Sequence, residues 1–125
     1  MKFTLYGRPI TKKNSQRIVT VNGHSVILPS RAYTQYEKDC LEQIWLFHRQ
    51  FNTPERVNLK CVYFMPTRHR VDLANLIEAT QDILVKAKVL PDDNCRVVVS
   101  LDGCRVADEP DKENPRVEIE LTEMP

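Results

Sequence analysis

Asp72-Leu-Ala-Asn75-Leu-Ile-Glu78-Ala-Thr-Gln-Asp82-Ile-Leu-Val-Lys86-Ala-Lys-Val-Leu90-Pro-Asp92-Asp93 is the stretch from which the rest of the chain is read. Its spacing predicts one amphipathic helix over residues 73–88. At about 100° per residue, Leu73, Leu76, Ile77, Thr80, Ile83, Leu84 and Ala87 fall on one side. Asp72, Asn75, Ala79, Asp82 and Lys86 fall opposite them. Pro91-Asp92-Asp93-Asn94 predicts a turn. Carboxylates therefore stand before the helix, along it and beyond it. By residue type Asp72 is a helix N-cap and Asp92-Asp93 a turn. Clustered carboxylates are also what a hard divalent cation needs, since it prefers oxygen ligands and must keep positions open for water and phosphate. Asp72 and Asp93 meet only if the chain folds back past the helix.

Immediately before this stretch, Val57-Asn58-Leu59-Lys60-Cys61-Val62-Tyr63-Phe64-Met65 alternates and then becomes continuously apolar, which predicts a central strand. Pro66 ends it, and the basic cluster Thr67-Arg68-His69-Arg70 leads into Asp72. After the turn, residues 96–101 predict a strand. Residues 102–115, rich in Asp, Gly, Pro and Asn, predict a long mobile loop. Residues 116–121 alternate cleanly, as suits an edge or one-faced strand.

Toward the N-terminus, residues 2–6 predict a strand that Gly7-Arg8-Pro9 terminates. Thr11-Lys12-Lys13-Asn14-Ser15-Gln16-Arg17 is either a solvated connection or an arm for phosphates. Ile18–Val21 and His24–Leu28 flank Asn22-Gly23, the pair a two-residue hairpin turn favours because both positions need positive φ. His24 is expected to face solvent. Ser30 is placed to cap a second helix. Tyr33, Tyr36, Cys40, Ile44, Phe47 and Phe51 make its buried stripe, with Trp45 and His48 at the rim, and Asn52-Thr53-Pro54 ends it. The elements make an α+β fold, a small mixed β-sheet with two helices in a single domain over residues 1–125.

Composition agrees. Hydrophobic residues at 42% and charged residues at 28% suit a globular chain, and a chain of this size buries roughly two thirds of its surface without disulfides. No apolar run is long enough for a membrane span and the N-terminus has no signal-peptide core, so cytoplasmic residence is expected. Cys40, Cys61, Cys95 and Cys104 form no Cys-x-x-Cys pair, which argues for reduced, mostly buried thiols rather than structural zinc. The net charge of +1 conceals a split. Residues 1–36 hold six Lys and Arg and no acid, whereas residues 105–123 hold seven acids against three bases. Such asymmetry suits an anionic partner.

The ordered set of features resembles the RusA family of Holliday-junction resolvases, small endonucleases common in phages and prophages. It comprises Pro9 followed by Asn14 in a basic loop, and the helix starting near Ala32-Tyr33. Phe64-Met65-Pro66 with Arg68-His69-Arg70 comes next. Asp72-Leu73-x-Asn75-Leu76, Asp82, Asp92-Asp93 and Pro115-Arg116-Val117-Glu118-Ile119 complete it. The resemblance implies a homodimer whose paired sites cut opposing strands of a four-way DNA junction, in recombination and repair, with Mg²⁺ (or Mn²⁺). It implies Asp72 and Asp93 as catalytic acids and metal ligands, with Asp92 alongside. Lys12, Lys13, Asn14, Arg17, Arg68 and Arg70 are expected to contact DNA.

Two positions depart from the family pattern Asp-x-Asp-Asn-Leu-x-Lys. Ala74 stands for its second aspartate and Glu78 for its lysine. A methyl group binds no metal, and the second change reverses a charge. Residues 74 and 78 are one turn apart, about 6 Å along the axis. A helical side chain leans toward the N-terminus, so Glu78 leans over the small Ala74 and is placed to supply the missing oxygen. Glu78 thereby joins Asp72 and Asp93 as an expected catalytic residue and ligand. The other reading is an exposed helix glutamate in a weakened or inactive homologue that binds branched DNA without cutting it. Asp82 is about 15 Å along the helix from Asp72, too far to share one ion with it.

Overall fold

The computed structural model describes residues 1–12, 16–47 and 51–125. In chain order its elements are β1 (Lys2–Tyr6), β2 (Gln16–Val21), β3 (His24–Pro29), α1 (Arg31–Phe47), β4 (Val57–Phe64), α2 (Leu73–Lys86), β5 (Val98–Ser100), β6 (Arg105–Val106) and β7 (Arg116–Glu123). The main sheet runs β1-β7-β4-β5, and β6 also pairs with β4. It is mixed: β1 and β4 flank β7 antiparallel, while β5 and β6 join β4 in parallel. This is the α+β architecture that the element order predicts.

β4 is central because its sequence can be buried on both faces. Val57, Leu59, Cys61, Val62 and Tyr63 are all buried. α1 starts where Ser30 accepts from the Tyr33 amide at 3.0 Å, satisfying a donor that the first turn cannot. Its stripe Tyr33, Tyr36, Cys40 and Ile44 packs with α2 and the inward side chains of β1, β4 and β7 into one core. Trp45 departs from the expected rim position: it is 60% exposed, because Leu41 and Ile44 fill the inward side of that turn. His48 and the expected last turn of α1, residues 48–50, lie outside the described residues.

The hairpin forms as its turn residues demand. Asn22 and Gly23 have φ of 51° and 78°, and Val21 pairs directly with His24. β2 and β3 make a separate two-stranded sheet with mostly exposed faces, Ile18 and Ile27 included.

Two expectations are corrected. The strand expected over 96–101 is limited to Val98–Ser100, because the amides of Val97 and Val98 both turn back to the Asn94 carbonyl. Residues 102–115, expected as a mobile loop, are tied along the edge of β4. β6 pairs there, Ala107 donates to the Tyr63 carbonyl at 2.8 Å, and Asp111 donates to the Met65 carbonyl at 2.8 Å. β7 is one-faced, as its alternation predicts, burying Val117, Ile119 and Leu121, and it lies inside the sheet between β1 and β4.

α2 carries the stretch that organises the fold. Ala79, assigned to the polar side, is 2% exposed, so the buried arc is wider than hydrophobicity alone implies. The small side chain allows close approach of a neighbour, which a helical wheel drawn from polarity does not register. Thr80 links α2 to β4 through a buried 2.7 Å hydrogen bond between its hydroxyl and that of Tyr63. Lys86 in the last turn binds Glu37 of α1 at 2.7 Å, a cation at the negative end of the helix dipole.

Candidate active site

Asp72 is the N-cap of α2, with extended backbone at φ −89° and ψ 111°. A single oxygen, Oδ1, accepts from the amides of Ala74 (3.0 Å) and Asn75 (3.4 Å). The cap therefore makes no use of Oδ2, and the structural and the chemical readings of Asp72 are compatible. Asp92 differs. Its Oδ1 accepts from the Asp93 amide at 2.7 Å and its Oδ2 from the Asn94 side-chain amide at 3.1 Å. Both oxygens of Asp92 thus hold the turn, which leaves Asp93 as the carboxylate that the turn presents.

The chain turns sharply at the end of α2. Lys88, at φ 62°, reverses the backbone. Val89 and Leu90 then bury their side chains while both donating to the Leu84 carbonyl, at 2.9 and 3.2 Å. Asp93 is thereby brought into the electrostatic neighbourhood of Asp82. The Asp82 carboxyl is raised above the ordinary aspartate range, first by partial burial and then by the charges of Glu78 and Asp93, against the opposing pull of Lys12. Lys12 Nζ lies 3.7 Å from Asp82 Oδ2. Glu78 and Asp93 thus both act on Asp82, which Lys12 of the N-terminal loop also contacts. Among the described residues, no three His, Cys, Asp or Glu side chains are already arranged as a metal-binding group.

The expected basic residues occupy different settings. Arg68 is engaged by Glu109 at 2.9 Å and by the Asp108 carbonyl at 3.2 Å. Arg17 donates from Nε to the Pro29 carbonyl at 3.2 Å. Arg70 is exposed and, together with Arg8, Thr11, Thr67 and His69, lines a crevice of about 240 Å³ between residues 8–11 and 65–71. Lys13 and Asn14 lie outside the described residues.

A family model for the endodeoxyribonuclease RusA matches residues 7–122. The chain belongs to the RusA family. Membership implies an endonuclease of the Holliday-junction-resolving kind, acting on branched DNA, in a family generally dependent on a divalent metal. Comparison with curated proteins gives no match. No helix among the described residues is long and apolar enough to cross a membrane.

Within this RusA-family chain, the sequence pointed to Asp72, Glu78, Asp92 and Asp93 and set Asp82 aside for its distance from Asp72, while Arg8 and His69, read as parts of basic segments, were not named as DNA contacts. The i,i+4 spacing of Glu78 and Asp82 was the available signal, since such residues are neighbours on a helix. Lys12 was named for DNA, and the structure gives it an acidic partner as well.

The raised Asp82 carboxyl sets a pH dependence of stability. Its folded pKa lies above the unfolded value near 3.8, so between the two the folded state binds more protons and stability falls as pH rises. Asp82→Asn is expected to raise the Tm at pH 7, with the gain shrinking as pH is lowered toward 3.8. The gain is small, because the side chain is 34% exposed and its loss also removes the contact with Lys12. Thermal melts of both proteins across that pH range check the sign.

Proposed function

We propose that this chain is a Mg²⁺- or Mn²⁺-dependent, structure-selective endodeoxyribonuclease that resolves four-way DNA junctions in recombination and repair. It acts as one domain per chain and as a homodimer, so that paired sites meet opposing strands. The observation that supports the reading, beside the family match, is that the charges of Glu78 and Asp93 both bear on Asp82 of α2. Negative charge is concentrated there, beside the basic crevice-lining and loop residues.

The donors fit a hard divalent cation by their chemistry, since all are carboxylate oxygens. Asp72, through the oxygen its cap leaves over, Glu78 and Asp93 would hold the ion, with Asp92 shaping the turn beside them. When bound, such an ion supplies a nucleophilic water at neutral pH and stabilises charge on the leaving oxygen. Glu78 takes over the oxygen that Ala74 cannot offer. Lys12, Lys13, Asn14, Arg17, Arg68 and Arg70 bind phosphates and orient the strand. Recognition is of backbone and junction shape, because no element among the described residues has the character of a base-reading helix.

The second reading is a protein that binds junctions without cutting them. It is favoured by the methyl group of Ala74 and by the absence, among the described residues, of a preassembled group of three ligands. One assay separates the two. A synthetic four-way junction incubated with the protein and Mg²⁺ or Mn²⁺ should be nicked symmetrically, with linear duplex left intact and EDTA stopping the reaction. Binding with no nicking at any metal concentration supports the second reading.

Junction binding should weaken with salt at a slope of roughly −0.9 per phosphate neutralised. Arg70→Ala is expected to reduce that slope by about 1. Arg68→Ala is expected to change it less, because Glu109 already engages that guanidinium. Fluorescence anisotropy over a salt series checks both. Sedimentation should give twice the chain mass of 14.6 kDa.

A further inference from the structure

β4 has a thiol set into its hydrogen-bond ladder. β5 ends at Ser100 and β6 begins at Arg105, so the edge of β4 between them has no strand partner among the described residues. Cys104 fills the gap. Its Sγ accepts from the Cys61 amide at 3.3 Å and, as a thiol, donates to the Leu59 carbonyl at 3.2 Å. Gly103, at φ 90°, turns the chain so that it lies against the Lys60 side chain just before this point.

The same register sets two cysteines side by side. Val62 pairs with Arg105 in parallel, so Cys61 and Cys104, the residues before them, are opposite each other. Neighbouring strands lie about 4.8 Å apart, inside the Cα separation of about 4.4–6.8 Å that a disulfide spans. Both cysteines are free. Cys61 is fully buried in the core, whereas Cys104 is half-buried and reaches the surface.

We propose that Cys104 is a peroxide-reactive thiol and Cys61 its resolving partner, together forming a reversible disulfide that pins the 101–104 segment to β4. The electrostatics agree. The hydrogen bond from the Cys61 thiol, opposed by burial and aided by the Cys61 amide, brings Cys104 down to about 7. Cys61 is pushed up, first by that same hydrogen bond and then by burial, so it stays protonated as the donor. The reactive thiolate and the reserve thiol are thus distinguished before any oxidant arrives.

The chemistry balances with a hydroperoxide as oxidant. The Cys104 thiolate attacks one peroxide oxygen, the O–O bond breaks, hydroxide leaves and takes up a proton, and a sulfenic acid forms. The Cys61 sulfur then attacks the Cys104 sulfur. The S–S bond forms, the S–O bond breaks, and water leaves with the Cys61 proton. Two thiols and one hydrogen peroxide give one disulfide and two waters, the sulfurs losing the two electrons that the peroxide gains.

The test uses the whole chain, reduced and then exposed to a small excess of hydrogen peroxide at pH 7. Remaining thiols are blocked, and intact mass and non-reducing peptide maps are recorded. A loss of 2 Da, a linked Cys61–Cys104 peptide as the main product, and full reversal by dithiothreitol are expected. Cys95→Ser should behave as the unaltered protein does, and Cys104→Ser should show no loss of 2 Da. Oxidation confined to the exposed Cys95, or Cys104 carried to the sulfinic acid while Cys61 remains a free thiol, overturns the proposal. The peptide map of the unaltered protein decides even if a variant fails to fold.

Discussion

Asp93→Asn is expected to lower the rate of junction nicking about a thousandfold while leaving junction affinity in EDTA unchanged. An amide keeps the size of the side chain but removes the anionic oxygen that a hard cation requires. Losing several kcal/mol of transition-state stabilisation, taken as about 4, corresponds to about three decades in rate. The fold should tolerate the change, because the turn is held by both oxygens of Asp92 rather than by the Asp93 side chain. Asp72→Asn is expected to fall as far, and its fold is protected for another reason: asparagine caps a helix as well as aspartate does. Single-turnover cleavage beside a gel-shift titration checks both variants. Nicking that persists in either would remove that residue from the site.

Leu84→Ala should cost about 2–5 kcal/mol of stability, the range for deleting a large core side chain that its neighbours cannot replace. Leu84 is 0% exposed on the inward side of α2. Its carbonyl also receives the amides of Val89 and Leu90, which steer the chain back toward Asp93. A cavity at this point loosens both the helix and the turn that follows it. A drop in Tm of about 10 °C is expected, from roughly 3–4 °C per kcal/mol for a domain of this length. In urea the midpoint should fall with the slope unchanged. A shift no larger than that of an exposed-site control, such as Lys88→Ala, would contradict the packing described for α2.

What the sequence made legible was what local chemistry decides. Asn22-Gly23 specified its turn because few other pairs tolerate two positive φ values. Ser30 and Asp72 announced two helix starts, and the continuous apolar run in β4 announced a central strand. Features decided by distant partners were not legible. β6 is a strand only because β4 offers an unpaired edge, so two residues of ordinary composition acquire a role. The alternation of β7 reports that one face is buried but says nothing of the strands beside it. Ala79 and Trp45 show the same limit in side chains: size and packing, rather than polarity, decided which one is buried.

The site divides in the same way. Asp72, Glu78 and Asp93 were reached through a family pattern and the geometry of one helical turn. Asp82 was set aside for its distance from Asp72 along the helix, and what distinguishes it comes from Lys12, seventy residues earlier, and from Asp93 beyond a backbone reversal at Lys88. The single oxygen used by the Asp72 cap could not be seen in sequence either, yet it leaves the other oxygen for the role proposed for this residue.

Glu78 is the residue on which the account depends, since it stands where the resemblance implies a lysine, one turn from Ala74, where it implies an acid. The most direct measurement is single-turnover nicking of a four-way junction by the unaltered protein and by Glu78→Gln, in Mg²⁺ and in Mn²⁺. Metal-dependent nicking by the first and a loss of at least about a hundredfold in the second is the predicted result, the loss of a metal-binding oxygen being worth several kcal/mol. No nicking by the unaltered protein in either metal, or equal rates for the two proteins, would contradict it.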